Sequence, residues 1–241
     1  MTFVTQLRFP FTFDSQLLKT DLEAVLKHEW PAHYNQGAYS GNWTSIALLA
    51  PGGDSKNINA MPSEQSPLLE TELLRDCPTF KRILDQFPFE KTSARLLCLE
   101  VGAEIKPHRD NCLGYEDGVF RIHIPIVTNP DVEFILAGER VVMEEGTCWY
   151  INANEEHSVA NRGTENRVHF VIDGVRNAWT DELFFAQAPE SSFERPPTPI
   201  SAEQKAQMIA ELERLGTPAA LELVEQLKRE GTTDDEPVVR S

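Results

Sequence analysis

Apolar residues recur along this chain with two different periods, and the change from one to the other divides it. Residues 3 to 13 alternate loosely, as Phe3-Val4-Thr5-Gln6-Leu7-Arg8-Phe9, which predicts an opening strand ended by Pro10. Asp14 then stands where a helix N-cap belongs. Leu17, Leu18, Leu22, Val25 and Leu26 follow at helical spacing and predict a helix over 15–28. A polar stretch over 31–43, of a composition that could lie over a pocket, leads into a short strand over 45–49 that Pro51-Gly52-Gly53-Asp54 stops. A second helical region is expected over 69–87, burying Leu73, Leu74, Phe80, Ile83 and Leu84, with a potential break at Pro78.

From residue 93 the texture changes to short runs rich in Val, Ile, Leu and Phe, separated by Gly, Pro and Asn. Runs at 94–101, 119–127, 132–136, 139–143, 147–151 and 167–173 predict an antiparallel sandwich or barrel. Gly138 suits a tight hairpin between two of these runs, and Glu145-Gly146 marks another turn. After Asp173 the pattern decays. The expected organisation is one domain over 1–188, a Pro/Ser-rich linker over 189–200, a helical hairpin over 201–230 and a disordered tail over 231–241. In the hairpin Ser201 would cap a helix with Met208, Ile209, Leu212 and Leu215 on one face, Gly216 would close it, and Pro218 would open the next.

Composition narrows the function classes. A chain of 241 residues with 41% hydrophobic and 25% charged residues is long enough for one well-buried domain and an appendage. It contains no apolar run near the roughly 18 residues of a membrane span, and its opening residues lack the pattern of a secretory signal. A net charge of −16, from 38 acidic and 22 basic residues, argues against nucleic acid or anionic membranes as partners. Cys77, Cys98, Cys112 and Cys148 form no C-x-x-C pair and read as the reduced thiols of a cytoplasmic protein.

The candidate chemistry lies in the strand-rich half. Alternate residues of a strand face one side, so His108 and Asp110 can bind a common ion from the end of the 94–107 segment. His157, between the runs at 147–151 and 167–173, would neighbour His108 in a rolled sheet. Two neutral imidazoles and one carboxylate on one side of a metal leave three positions open, the facial arrangement of non-heme Fe(II) oxygenases. Taken alone, either histidine is more often a core or surface residue, but both sit in polar turns where strand ends would open into a site. Arg121 and His123 share one face of the 119–127 run while Ile122, Ile124 and Ile126 share the other, and Arg167-Val168-His169-Phe170-Val171 repeats the pattern. Such faces are either the solvent side of half-buried strands or the wall of an interior pocket lined by Arg121, His123 and Arg167, with Arg95 a further candidate. The metal-spaced residues favour the pocket. A buried arginine needs an anion, its planar fork matches a carboxylate, and a dicarboxylate cosubstrate would satisfy it.

Lys106-Pro107-His108-Arg109-Asp110, Phe120-Arg121-Ile122-His123, Glu145-Gly146-Thr147-Cys148-Trp149-Tyr150 and the segment from His157 to Arg167 together resemble the aspartyl/asparaginyl β-hydroxylase family of 2-oxoglutarate-dependent oxygenases. Within it the chain most resembles bacterial free-proline hydroxylases. The resemblance implies a mainly β protein with flanking helices, built on a double-stranded β-helix (jelly roll, cupin-like), with His108, Asp110 and His157 holding Fe(II). It implies Arg167 paired with a carboxylate of 2-oxoglutarate, Arg121 and His123 as further cosubstrate contacts, and Trp43 on the wall of that pocket. Animal members of the family lack the carboxylate that Asp110 supplies and carry a serine where Leu97 stands. The implied activity is an O2-consuming dioxygenase that hydroxylates an amino acid or a small molecule derived from one. A peptide or protein Asp, Asn or Pro residue is the second substrate choice, and a non-catalytic metal-binding cupin-like sensor or interaction module is the reading from another class. The oligomeric state is left open.

Overall fold

The structure, a computed structural model, describes residues 3–33, 35–58, 63, 65–195 and 202–229. It divides into two compact units, one within residues 1–195 and one within 196–241.

The first unit opens with strand β1 (Gln6–Thr12) and helix α1 (Ser15–Val25). The Asp14 side chain accepts hydrogen bonds from the amides of Gln16 and Leu17, which caps α1 as its position in the sequence requires. Pro10 does not end β1. The strand lies at a sheet edge and its register slips between Phe9 and Thr12, so the missing N–H of Pro10 is tolerated. Strands β2 (Tyr39–Ser40), β3 (Trp43–Pro51) and β4 (Leu68–Glu70) follow. The helical region expected over 69–87 is shorter than its apolar spacing suggests. Residues 68–70 pair with β3, a 3-10 turn covers Glu72–Asp76, and helix α2 (Pro78–Gln86) begins at Pro78, which opens the helix and does not break it.

The strand-rich half comprises β5 (Lys91–Leu99), β6 (Glu104–His108), β7 (Val119–Val127), β8 (Val132–Leu136), β9 (Glu139–Val141), β10 (Thr147–Ile151), β11 (His157–Asn161) and β12 (Arg167–Val175), closed by helix α3 (Ala178–Phe185). They form two antiparallel sheets, in the orders β1-β10-β7-β12-β5-β3-β4 and β2-β6-β11-β8-β9. This is the double-stranded β-helix, mainly β with flanking helices.

Strand alternation sorts the larger sheet into two environments. One face presents Ile46, Leu48, Leu96, Ile122, Ile124, Phe170 and Ile172, which form one buried cluster with Leu18 and Leu22 of α1, Phe80 and Ile83 of α2 and Phe184 of α3. The other face points at the smaller sheet and carries Arg95, Arg121, His123, Arg167 and Asp173 around a cavity of about 610 Å³. The basic strand faces are therefore the interior wall and not a solvent side. Below that polar wall a second cluster, including Leu99, Ile105, Phe134, Ile151 and Val159, fills the space between the sheets.

Residues 190–195 of the expected linker belong to the first unit. Glu190–Phe193 forms a 3-10 turn with Ser192 and Phe193 buried, because the Phe193 ring packs on Tyr115 and Phe184 and the Ser192 carbonyl accepts from the Val4 amide. Residues 196–201, including Ser201, and the tail over 231–241 lie outside the described residues. In the second unit, helices α4 (Ala202–Leu215) and α5 (Pro218–Arg229) pack together, with Gly216 in the left-handed region at φ 63°. Among the described residues no helix is long and apolar enough to cross a membrane.

The β8–β9 hairpin turns through Ala137 and Gly138, at φ 50° and 82°. Two positive φ angles mark the turn type that favours Asn-Gly, and alanine in this region is penalised by its Cβ. Ala137→Asn is therefore expected to stabilise the protein by about 1 kcal/mol and to raise its melting temperature by roughly 2–4 °C. A melting temperature at or below that of the parent would contradict this account of the turn.

Candidate metal centre

His108 is the last residue of β6 and His157 the first of β11, and the two are register partners across the small sheet. Their rings lie 4.2 Å apart between centroids. Neither strand shows in the periodicity, since Glu104-Ile105-Lys106-Pro107-His108 and His157-Ser158-Val159-Ala160-Asn161 hold few apolar residues. They exist because each pairs with the other, and β11 also with β8. Asp110 stands two residues beyond the end of β6, where its amide donates to the Ala153 carbonyl at 2.9 Å. One ligand atom from each of His108, Asp110 and His157 can be chosen so that all lie within 4.8 Å of one another, close enough to share one metal ion.

The surroundings fix what each donor offers. His108 Nδ1 lies 2.8 Å from the Lys106 carbonyl oxygen and His157 Nδ1 lies 2.9 Å from that of Glu155. A carbonyl only accepts, so each Nδ1 carries the hydrogen and each Nε2 keeps its lone pair for a metal. Burial, with His108 close by, lowers the pKa of His157 and keeps it neutral. Asp110 is divided between two tasks. Its Oδ2 accepts from Arg121 at 2.7 Å, while Oδ1 lies 3.8 Å from His108 Nε2 and faces the histidines. Two neutral imidazole nitrogens and one carboxylate oxygen are the donor set of the facial Fe(II) site, and the residues fit that ion.

Arg121, which the resemblance made a cosubstrate contact, is committed to acidic partners. Besides Asp110 it donates to Asp173 Oδ1 at 2.7 Å and Oδ2 at 3.1 Å. Asp173 also accepts from Arg95 at 2.8 Å and from the Ser93 hydroxyl at 2.9 Å. Burial would raise the Asp173 carboxyl, but Arg121 and Arg95 outweigh it and hold the group well below the usual carboxylate range. The sequence reading passed over Asp173. Its signal was the continued alternation of Arg167, His169, Val171 and Asp173 along one face of β12.

Arg167 is placed differently. It is 2% exposed, and among the described residues no carboxylate lies within ion-pair distance. Burial pushes its pKa down to about 9, which still leaves it cationic at neutral pH. One of its nitrogens donates to His169 Nδ1 at 2.9 Å, and among the described residues Nε has no hydrogen-bond partner. His169 Nδ1 must be an acceptor, because guanidinium only donates. His123 Nδ1 approaches the same atom at 3.4 Å. Burial and the charge of Arg167 hold both His123 and His169 well below the ordinary histidine range, so both rings are neutral. His123 and Arg167 line the same cavity as the three candidate ligands. Trp43 lines it as well, 7% exposed, with His33 stacked on it at 3.5 Å between centroids.

A double-stranded β-helix whose cavity is lined by a His-x-Asp pair and a distant His defines a class of protein. Residues 12–177 match the model of the aspartyl/asparaginyl β-hydroxylase family, and the chain belongs to that family. It is 24% identical over 174 residues to an L-proline cis-4-hydroxylase of Rhizobium meliloti (strain 1021), a match that covers 71% of this chain and 61% of the relative. The match thus spans under two thirds of that relative's length. Among solved structures, an oxidoreductase of the 2OG-Fe(II) oxygenase family from Burkholderia pseudomallei shares the fold, with a TM-score of 0.50 and 12% identity over 72% of this chain and 86% of that one.

Asp173→Asn leaves Arg95 and Arg121 buried without a full countercharge and is expected to destabilise the protein by about 3–5 kcal/mol in denaturant titrations. The folded pKa of Asp173 lies below its unfolded value. Its contribution is therefore complete above the unfolded carboxylate pKa of about 3.9 and is lost as pH falls below that. The variant should show a shallower loss of stability between roughly pH 4 and 2 than the parent. Equal acid limbs would remove Asp173 as the source.

Proposed function

We propose that this chain is an Fe(II)- and 2-oxoglutarate-dependent dioxygenase that hydroxylates an amino acid or a small molecule derived from one, with O2 as co-oxidant. The supporting observation is that a single cavity is lined by a facial donor triad and by a buried guanidinium with no carboxylate partner among the described residues. His108, Asp110 and His157 would hold the iron. With the keto acid and O2, that centre supplies the oxidising power to insert one oxygen atom into a C–H bond while the keto acid leaves as succinate and CO2.

The side chains of the protein do the positioning. Arg121 keeps Oδ2 of Asp110 occupied, so the carboxylate offers a single oxygen to the metal. Arg167 would pair with the far carboxylate of 2-oxoglutarate, the planar anion its fork matches. Neutral His169 accepts from the guanidinium and so orients it without adding a competing charge. Trp43 and Phe134 wall the cavity and limit water around the buried charges. Arg95, Arg121 and Asp173 form an internally paired polar stretch of the cavity wall, which suits a small polar substrate. The name of the Rhizobium meliloti relative supports the same substrate class. Cys77, Cys98 and Cys148 are buried free thiols, which fits a reducing, cytoplasmic site of action.

The test is coupled succinate release across the twenty free amino acids by protein loaded anaerobically with Fe(II) and 2-oxoglutarate and then exposed to O2. A weak visible charge-transfer band near roughly 500 nm on loading is expected from an open facial site. No band and no substrate-stimulated succinate would favour the non-catalytic sensor. Asp110→Ala and His157→Ala should each abolish turnover with the fold retained, and full turnover in either would remove that ligand. Arg167→Gln should raise the 2-oxoglutarate KM by about 10-fold or more, as expected for loss of a charge-assisted bidentate pair worth roughly 1.5–3 kcal/mol. An unchanged KM would take Arg167 out of the cosubstrate site.

A further inference from the structure

Asp110 lies on the loop over 109–117 that follows β6, and His157 opens β11 directly after the turn over 152–156. The side chain of Asn154, 9% exposed, lies where the two stretches meet. Its Oδ1 accepts from the Leu113 amide at 3.0 Å. Its Nδ2 donates to Glu116 Oε1 at 3.0 Å and to Asp117 Oδ2 at 2.6 Å. Its own amide donates to Asn152 Oδ1 at 3.1 Å and its carbonyl accepts from Arg109 at 2.9 Å. All the groups of this buried amide residue are thereby used. The same junction is sewn by the Asp110 amide on the Ala153 carbonyl and the Ala153 amide on the Leu113 carbonyl, at 2.9 and 3.2 Å. Glu116 is held in turn by Asn152 Nδ2 and by Arg195. The fit leaves no room for a side chain opposite, since a Cβ on Gly114 would stand 2.4 Å from Asn154 Nδ2.

We propose that Asn154 is a positioning residue of the metal centre. By tying the 109–117 loop to the 152–156 turn, it sets the separation of Asp110 from His157 and with it the affinity for a divalent metal. The proposal rests on the metal-site reading above. Asn154 acts by position, because it spans the loop that carries Asp110 and the turn that leads directly into His157. Removing an outer partner of a metal ligand commonly weakens binding by about 10–100-fold.

Co(II) binding to the full chain tests this, by calorimetry and by the visible d–d spectrum, without 2-oxoglutarate or substrate. Asn154→Asp keeps the shape but sets a carboxylate against Glu116 and Asp117. It is expected to weaken Co(II) binding by about 10–100-fold and to alter the spectrum. Adding Glu116→Gln supplies a donor to the new carboxylate and removes one of the two repulsions, so both should recover in part. Asp117→Ala, at an exposed position, removes one of the two acceptors and should weaken binding by a few-fold while the metal-free melting temperature stays near that of the parent. It carries the test if Asn154→Asp does not fold. Parental affinity in the folded variants overturns the proposal, as does a loss that Glu116→Gln fails to restore in any part and that follows the melting temperature. If the parent itself binds no Co(II), or His157→Ala binds it equally well, the metal-site reading fails and this proposal with it.

Discussion

Burying two guanidinium groups between two sheets is unfavourable by several kcal/mol per charge unless a countercharge is built in beside them, and Asp173 is that countercharge. It lies on β12, the strand between β7 and β5, directly opposite Arg121 on one side and Ser93 on the other. From there the pairing runs outward, since Arg121 reaches past Asp173 to Asp110 at the edge of the cavity. One chain of charge-assisted bonds thus joins the middle of the large sheet to a candidate metal ligand on a loop. The loop carboxylate is held by the middle of the large sheet, which is how a site can be kept in place before any ion arrives.

The same sheet divides labour between its faces. Helices α1, α2 and α3 cover the apolar face, so the other face is free to be polar without leaving the sheet half-buried on both sides. Within that polar face the two ends differ in kind. Around Arg95 and Arg121 every positive charge has an acidic partner, and the region is close to neutral. Around Arg167 the neighbours are two neutral histidines, the Phe134 ring and apolar wall, and the positive charge is left for an incoming anion. The contrast separates an internally paired region from one that awaits a carboxylate. It also shows why Arg121 and Arg167, alike in sequence context, do different work.

The two histidines illustrate how a donor set can be prepared by backbone alone. In each case the carbonyl two residues earlier takes the Nδ1 hydrogen, at 2.8 and 2.9 Å, and leaves Nε2 with its lone pair for a metal. The local geometry repeats because each histidine stands at the end of a strand that pairs with the other. Asn154 extends this order past the strand ends, where the sheet ladder no longer holds the two stretches together.

Much of this could be read from the chain. Period-2 alternation in 119–127 and 167–173, the His-x-Asp spacing, and Asp14 before the first helix each depend on chain-local geometry, and chain-local geometry is what a sequence encodes directly. The short strands β6 and β11 could not be seen, because residues 104–108 and 157–161 have little periodicity of their own and take strand form from pairing with each other. The second helix is shorter than its apolar spacing predicts for a related reason, since Leu68–Glu70 finds a strand partner in β3. Which basic residue is paired and which is left for a ligand was likewise beyond the chain itself. Arg95, Arg121 and Arg167 look alike along the sequence, and only the neighbouring strand decides which of them meets Asp173. Spacing along the chain determined the candidate donors and the faces they share, while the tertiary fold decided their charge partners, because electrostatic pairing acts through space between segments that the sequence keeps up to 78 residues apart.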